Sequence, residues 1–185
     1  MTAAPELHED LAYVAQAVRR NERDPGYASI YWLWAVITPI GFALTDFAAP
    51  LSGLYWLFAG PVGGTLSAWL AVRADRRRGE RNRAAGQREG LHWLVMLPAF
   101  VLTALPMLTG AIAWPAGQSY FLLVTGIAYA LAGVHLQRPM LWIGLLMMAA
   151  YAGLVLYNPP YTWTITGVLV GLSLAAAGWF TARRA

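Results

Sequence analysis

Formal charge along this chain is confined to a few short places, and long apolar runs separate them. Between Asp24 and Asp46 lie 21 uncharged residues, and between Asp46 and Arg73 another 26. Gly90 to Gln137 contributes 48 without Asp, Glu, Lys or Arg, and Pro139 to Ala182 contributes 44. About 20 apolar residues in helical form cross a bilayer. The first two runs therefore predict one span each. The longer two predict two spans each, broken at Trp114-Pro115-Ala116-Gly117 and at Asn158-Pro159-Pro160, where turn residues cluster. The expectation is an all-α polytopic membrane protein with six transmembrane helices near 27–46, 50–73, 91–113, 119–137, 140–157 and 162–182. They would form three antiparallel hairpins.

Residues 1–26 carry a different pattern. Leu7, Leu11, Val14, Ala15 and Val18 recur at helical spacing and predict one apolar face. Glu6, Glu9 and Asp10 precede Arg19 and Arg20, the order that suits a helix dipole. A short amphipathic helix is expected here, ended by Asp24-Pro25-Gly26. The acidic opening lacks the basic n-region of a secretory signal. The expected organisation is thus a cytoplasmic helix and turn over 1–26, then a six-helix domain over 27–185 with a basic cytoplasmic loop over 74–90.

Orientation comes from arginine. The stretch from Arg73 to Glu89 holds seven arginines against Asp75, Glu80 and Glu89. With the N-terminus inside, all 13 basic residues fall in cytoplasmic segments or the helix ends entering them. The turns near Asp46, Trp114 and Asn158 hold none. The positive-inside rule then predicts both termini in the cytoplasm of a bacterial-type inner membrane. The nine tryptophans fall toward span ends, as an aromatic belt would place them. Each even span also opens with a tyrosine followed by a glycine (Tyr55 and Gly60, Tyr120 and Gly126, Tyr161 and Gly167), a faint threefold pattern compatible with repeated hairpins.

Composition agrees with this picture and narrows the chemistry. Of 185 residues, 58% are hydrophobic and only 12% charged, about half the charged fraction of a soluble domain. The net charge of +4 is juxtamembrane, where anionic lipid head groups favour it. The arginine stretch has no interleaved aromatics, so a nucleic-acid partner is not expected. There is no cysteine for a disulfide, thiolate site or nucleophile. His8-Glu9-Asp10 begins like a zinc-protease motif but lacks the second histidine.

Four places hold candidate function. Asp46 is the one acid outside the cytoplasmic segments; it would collect a cation or proton, or cap the end of span one. His92 opens span three and His135 closes span four. If that hairpin turns at Trp114, both lie at one depth and could titrate or bind a metal weakly. Gly60-Pro61-Val62-Gly63-Gly64 would break span two as transporter helices are broken, or else Gly60 and Gly64 form a GxxxG packing face. Gly167 and Gly171 predict a second packing face in span six. Spans three to six hold no carboxylate or cation, so an energised pump is disfavoured.

No convergent polar cluster points to an enzyme, a cofactor or a metal centre. The expected function is a non-enzymatic integral membrane subunit or regulatory partner, assembling through small-residue faces with its own copy or another membrane protein. The alternative is a small channel or uncoupled carrier with span two along the path.

Overall fold

A computed structural model describes residues 27–78, 83–157 and 159–183. The amphipathic helix expected over 5–21 lies outside them. The described chain is all-helical: α1 (Ala28–Phe47), α2 (Ala49–Arg78), α3 (Arg83–Leu108), α4 (Trp114–His135), α5 (Arg138–Leu156) and α6 (Thr162–Ala182). Five of these, all but α2, contain a segment long and apolar enough to cross a membrane. This is the architecture of a multi-pass helical membrane protein. α2 has the length, 30 residues, but glycine, proline, hydroxyl and arginine residues dilute its apolar content.

Two boundaries differ from expectation. The arginine stretch is mostly helical rather than a loop over 74–90: α2 runs to Arg78 and α3 begins at Arg83. Arginine and alanine are good helix formers, so both helices extend past the apolar stretch. The α3–α4 turn also comes earlier. It occupies residues 109–113, with Gly110 at φ +74°, a conformation glycine adopts without penalty. Trp114-Pro115 does not turn the chain but starts α4, with proline in the first helical turn.

Packing is strongest across the expected hairpins rather than within them. α1 packs most extensively on α6, and α4 on α5. α2 leans on α1, α3 leans on α4, and α5 meets α6 more lightly. Small residues permit both close pairs. A Cβ on Gly167 would sit 2.7 Å from Phe42 Cβ, and one on Gly171 would strike the Pro39 ring. Both glycines are buried against α1, so the predicted packing face of span six is filled within the chain. Gly171 also lies against the Ala35 carbonyl, the acceptor that Pro39, lacking an N–H, cannot serve. In the α4–α5 pair, Gly126, Gly133 and Gly144 interlock, and a Cβ on Gly133 would meet the Leu141 backbone. Close backbone approach of this kind is how membrane helices gain dispersion energy without a hydrophobic drive. Val170, Leu174, Ala128 and Ala132 fill the core between the pairs.

The tryptophans divide. Trp69 and Trp179 sit at the rim beneath arginines, with the Arg73 and Arg183 guanidiniums 5.0 and 4.5 Å from the ring centroids. Trp163 instead belongs to the core, and Trp56 packs edge-on against Tyr55 and tilted against Phe42. Both rings make packing contacts inside the bundle.

Candidate functional site

Polar side chains gather at the two ends of the bundle. At the Asp46 end, a carboxylate oxygen of Asp46 accepts from the backbone N–H of Thr164 at 2.7 Å and from its hydroxyl at 2.6 Å. Thr164 lies in the first turn of α6, whose N-terminal N–H groups lack helical partners and carry partial positive charge. Asp46 thus caps α6 across 118 residues of chain, rather than the end of its own helix. Beside it, the Ser52 hydroxyl, fully buried, lies 2.9 Å from that of Thr45 and accepts from the Gln118 carboxamide at 2.6 Å. These bonds tie α1, α2, α4 and α6 at one level.

The Gly60–Gly64 segment does not interrupt its helix; α2 is continuous from Ala49 to Arg78. Pro61 removes one backbone donor. The local hydroxyls turn inward instead: Thr65 Oγ1 donates to the Pro61 carbonyl and Ser67 Oγ to the Gly63 carbonyl, both at 2.8 Å. Helix is kept because lipid offers exposed backbone groups no alternative partner. No unwound backbone is therefore available in this segment, so the expected break in span two is not found. Gly63 faces α1, with Trp34 and Ile37 against it, whereas a Cβ on Gly60 or Gly64 would meet nothing within 4 Å.

His92 and His135 are not held together at one depth. His92 Nε2 lies 3.1 Å from the Ala128 carbonyl, with its ring edge-on to Trp93. Ala128 precedes His135 by seven residues, about 10 Å of helical rise. The earlier turn shifts the register of α4 against α3, and His135 ends exposed at the helix terminus. Among the described residues no three His, Asp or Glu side chains converge on a metal-sized site.

The Tyr27 end holds a cluster that sequence inspection overlooked. Tyr31 donates its hydroxyl to Gln137 Oε1 at 2.8 Å, and both side chains are buried. Tyr27 donates to Asp75 Oδ1 at 2.8 Å, and the Trp34 indole N–H to Ser67 Oγ at 3.0 Å. Tyr31, Trp34, Glu89, Tyr129 and Gln137 line a chamber of ≈ 20 Å³, with Tyr27 beside them and Leu174 and Met140 as its apolar wall. The sequence did carry one signal: Tyr27, Tyr31 and Trp34 share a helix face at spacings of four and three. Their partners lie up to 106 residues away, where no local pattern points.

The Tyr31–Gln137 bond makes a direct prediction. Tyr31→Phe and Gln137→Leu each strand a buried polar group and should cost about 1–3 kcal/mol. The double variant should recover about 1 kcal/mol of their sum. Denaturant titration in detergent micelles measures this; strict additivity would mean the two side chains do not interact.

No family model, curated protein or solved structure matches this chain.

Proposed function

We propose that this chain is a non-enzymatic membrane subunit that assembles through the outward face of α2. One contrast supports this. The glycines of α4, α5 and α6 that permit close approach are filled by neighbours, yet Gly60 and Gly64, one helical turn apart, face open space. Small-xxx-small pairs bring membrane helices into contact, so this face suits a helix from a second copy or from another membrane protein. On the same face Leu57 and Ala68 are exposed and supply apolar surface for the same contact. In this proposal the arginine-bearing ends of α2 and α3 lie on the cytoplasmic side of an inner membrane, among anionic head groups.

Gly60→Leu with Gly64→Leu tests it. The expected result is loss of the assembly seen by native mass spectrometry after mild-detergent extraction, with thermal stability of the isolated chain unchanged. Intact assembly in the double variant would exclude this face. Altered solute flux from liposomes alongside intact assembly would favour a channel instead.

A further inference from the structure

We propose that the Trp69–Arg73 and Trp179–Arg183 pairs are two seats for anionic phospholipid, the arginine holding the phosphate and the helix below it one acyl chain. Both pairs lie at the Tyr27 end: Asp75 of α2 accepts from Tyr27, and Gly178 of α6 packs against Tyr31 and Trp32. Three observations converge on the proposal. First, the arginines are already placed. Each follows its tryptophan by four residues, about one helical turn. The guanidinium lies over the indole, 5.0 Å from the centroid for Arg73 and 4.5 Å for Arg183. A side chain held this way has less freedom to lose when an anion arrives. Second, neither charge is answered on its own helix. Both arginines are exposed; α6 contains no acid, and the one acid of α2, Asp75, serves Tyr27. Third, the surface beneath each pair is apolar to the depth of a leaflet. Val62 precedes Arg73 by the same eleven residues as Leu172 precedes Arg183. These two are 54% and 63% exposed, and Trp69 and Trp179 above them 53% and 50%. Spacings of four and eleven keep all of these side chains on one helix face. Eleven residues rise about 16 Å, close to half of a ~30 Å hydrocarbon core.

The chemistry selects the occupant. A guanidinium held over a ring keeps N–H groups for a second partner, and its fork matches two phosphate oxygens at once. Indole suits the interface, with an apolar body and a polar N–H. A lipid phosphate brings an acyl chain that lies along Val62 or Leu172, whereas free phosphate gains nothing from that surface. A zwitterionic lipid carries an ammonium beside its phosphate, so two unanswered arginines favour a lipid with net negative charge. Val62 lies about half a turn round α2 from Gly60 and Gly64. The lipid seat and the assembly face proposed above therefore occupy opposite sides of α2, and each stands without the other.

The test offers the purified full chain, in mild-detergent micelles, equimolar phosphatidylglycerol and phosphatidylcholine with identical acyl chains. Native mass spectrometry then counts the lipids each chain retains. The expected result is two retained lipids, one for each pair, with phosphatidylglycerol enriched about fivefold. Arg73→Gln should remove one of them, and Arg73→Gln with Arg183→Gln both. Trp69→Leu, which keeps the charge but not the ring, should weaken the same seat as Arg73→Gln. Arg77→Gln removes an equal charge two helical turns beyond Trp69 and should leave the count unchanged. Equal loss in Arg73→Gln and Arg77→Gln overturns the proposal, since only diffuse charge would then be at work. Displacement of the lipid by excess inorganic phosphate also overturns it and leaves a simple anion site. Equal retention of the two lipids by the unaltered chain does so too, whether or not any variant folds.

Discussion

Replacing Gly144 with alanine is expected to destabilise the bundle by about 3 kcal/mol, although the same change inside an open helix face would be neutral or better. A Cβ at this position would strike the backbone nitrogen of Ala130 and lie 2.5 Å from the Gly126 carbonyl oxygen. Both obstacles are main chain, so no rotamer change can relieve them. α4 and α5 would have to separate along their whole contact, taking Ile143 and Met147 out of the core. Intrinsic propensity pulls the other way, since alanine is favoured over glycine by about 1 kcal/mol in a helix. Gly60→Ala serves as the matched control: it carries the same propensity gain and meets nothing within 4 Å. In a denaturant titration followed by tryptophan fluorescence, the Gly144 variant should unfold well before the unaltered chain. The Gly60 variant should match or exceed it. Similar midpoints for the two variants would refute the interlocked α4–α5 contact.

That contrast marks what could be read from the sequence. Glycine spacing marked small-residue faces on α2 and α6, but not the interlocked glycines of α4 and α5, and not which faces are filled. Gly167–Gly171 and Gly60–Gly64 have the same spacing; only the fold puts Pro39 and Phe42 against the first pair. Apolar run length located all six helices, and α6 runs over the expected residues, Thr162–Ala182. Charge proved a poor marker of helix ends, because arginine stops a membrane stretch without stopping a helix. The α3–α4 turn was misplaced because Pro115 and Gly117 resemble turn residues, yet proline in a first turn begins a helix. That displacement of a few residues was enough to pair His92 and His135 wrongly. The Tyr27-end chamber was illegible for a different reason: Tyr31, Glu89, Tyr129 and Gln137 come from four separate segments. Only the neighbour order of the helices brings them together.

Asp46 yields the second large expected effect. Asp46→Ala should cost about 2–3 kcal/mol, because it strands both the N–H and the hydroxyl of Thr164 at a helix terminus and removes a charge-assisted acceptor. Asp46→Asn keeps one acceptor oxygen and loses only the charge, so its cost should fall below about 1 kcal/mol, the size of a helix-terminus charge interaction. The order unaltered, Asn, Ala in unfolding midpoint is the signature of a cap. Thr164→Val supplies the partner half: it removes the hydroxyl at 2.6 Å but keeps the N–H at 2.7 Å. Its cost should be smaller than that of Asp46→Ala and largely absent once Asp46 is already alanine. A cation or proton site at Asp46 would behave differently, since asparagine cannot carry the charge. Asn and Ala would then be equally damaging to any ion-dependent property while leaving stability untouched. Equal, near-zero stability effects from both substitutions would therefore detach Asp46 from α6 and restore it as a candidate for ion chemistry.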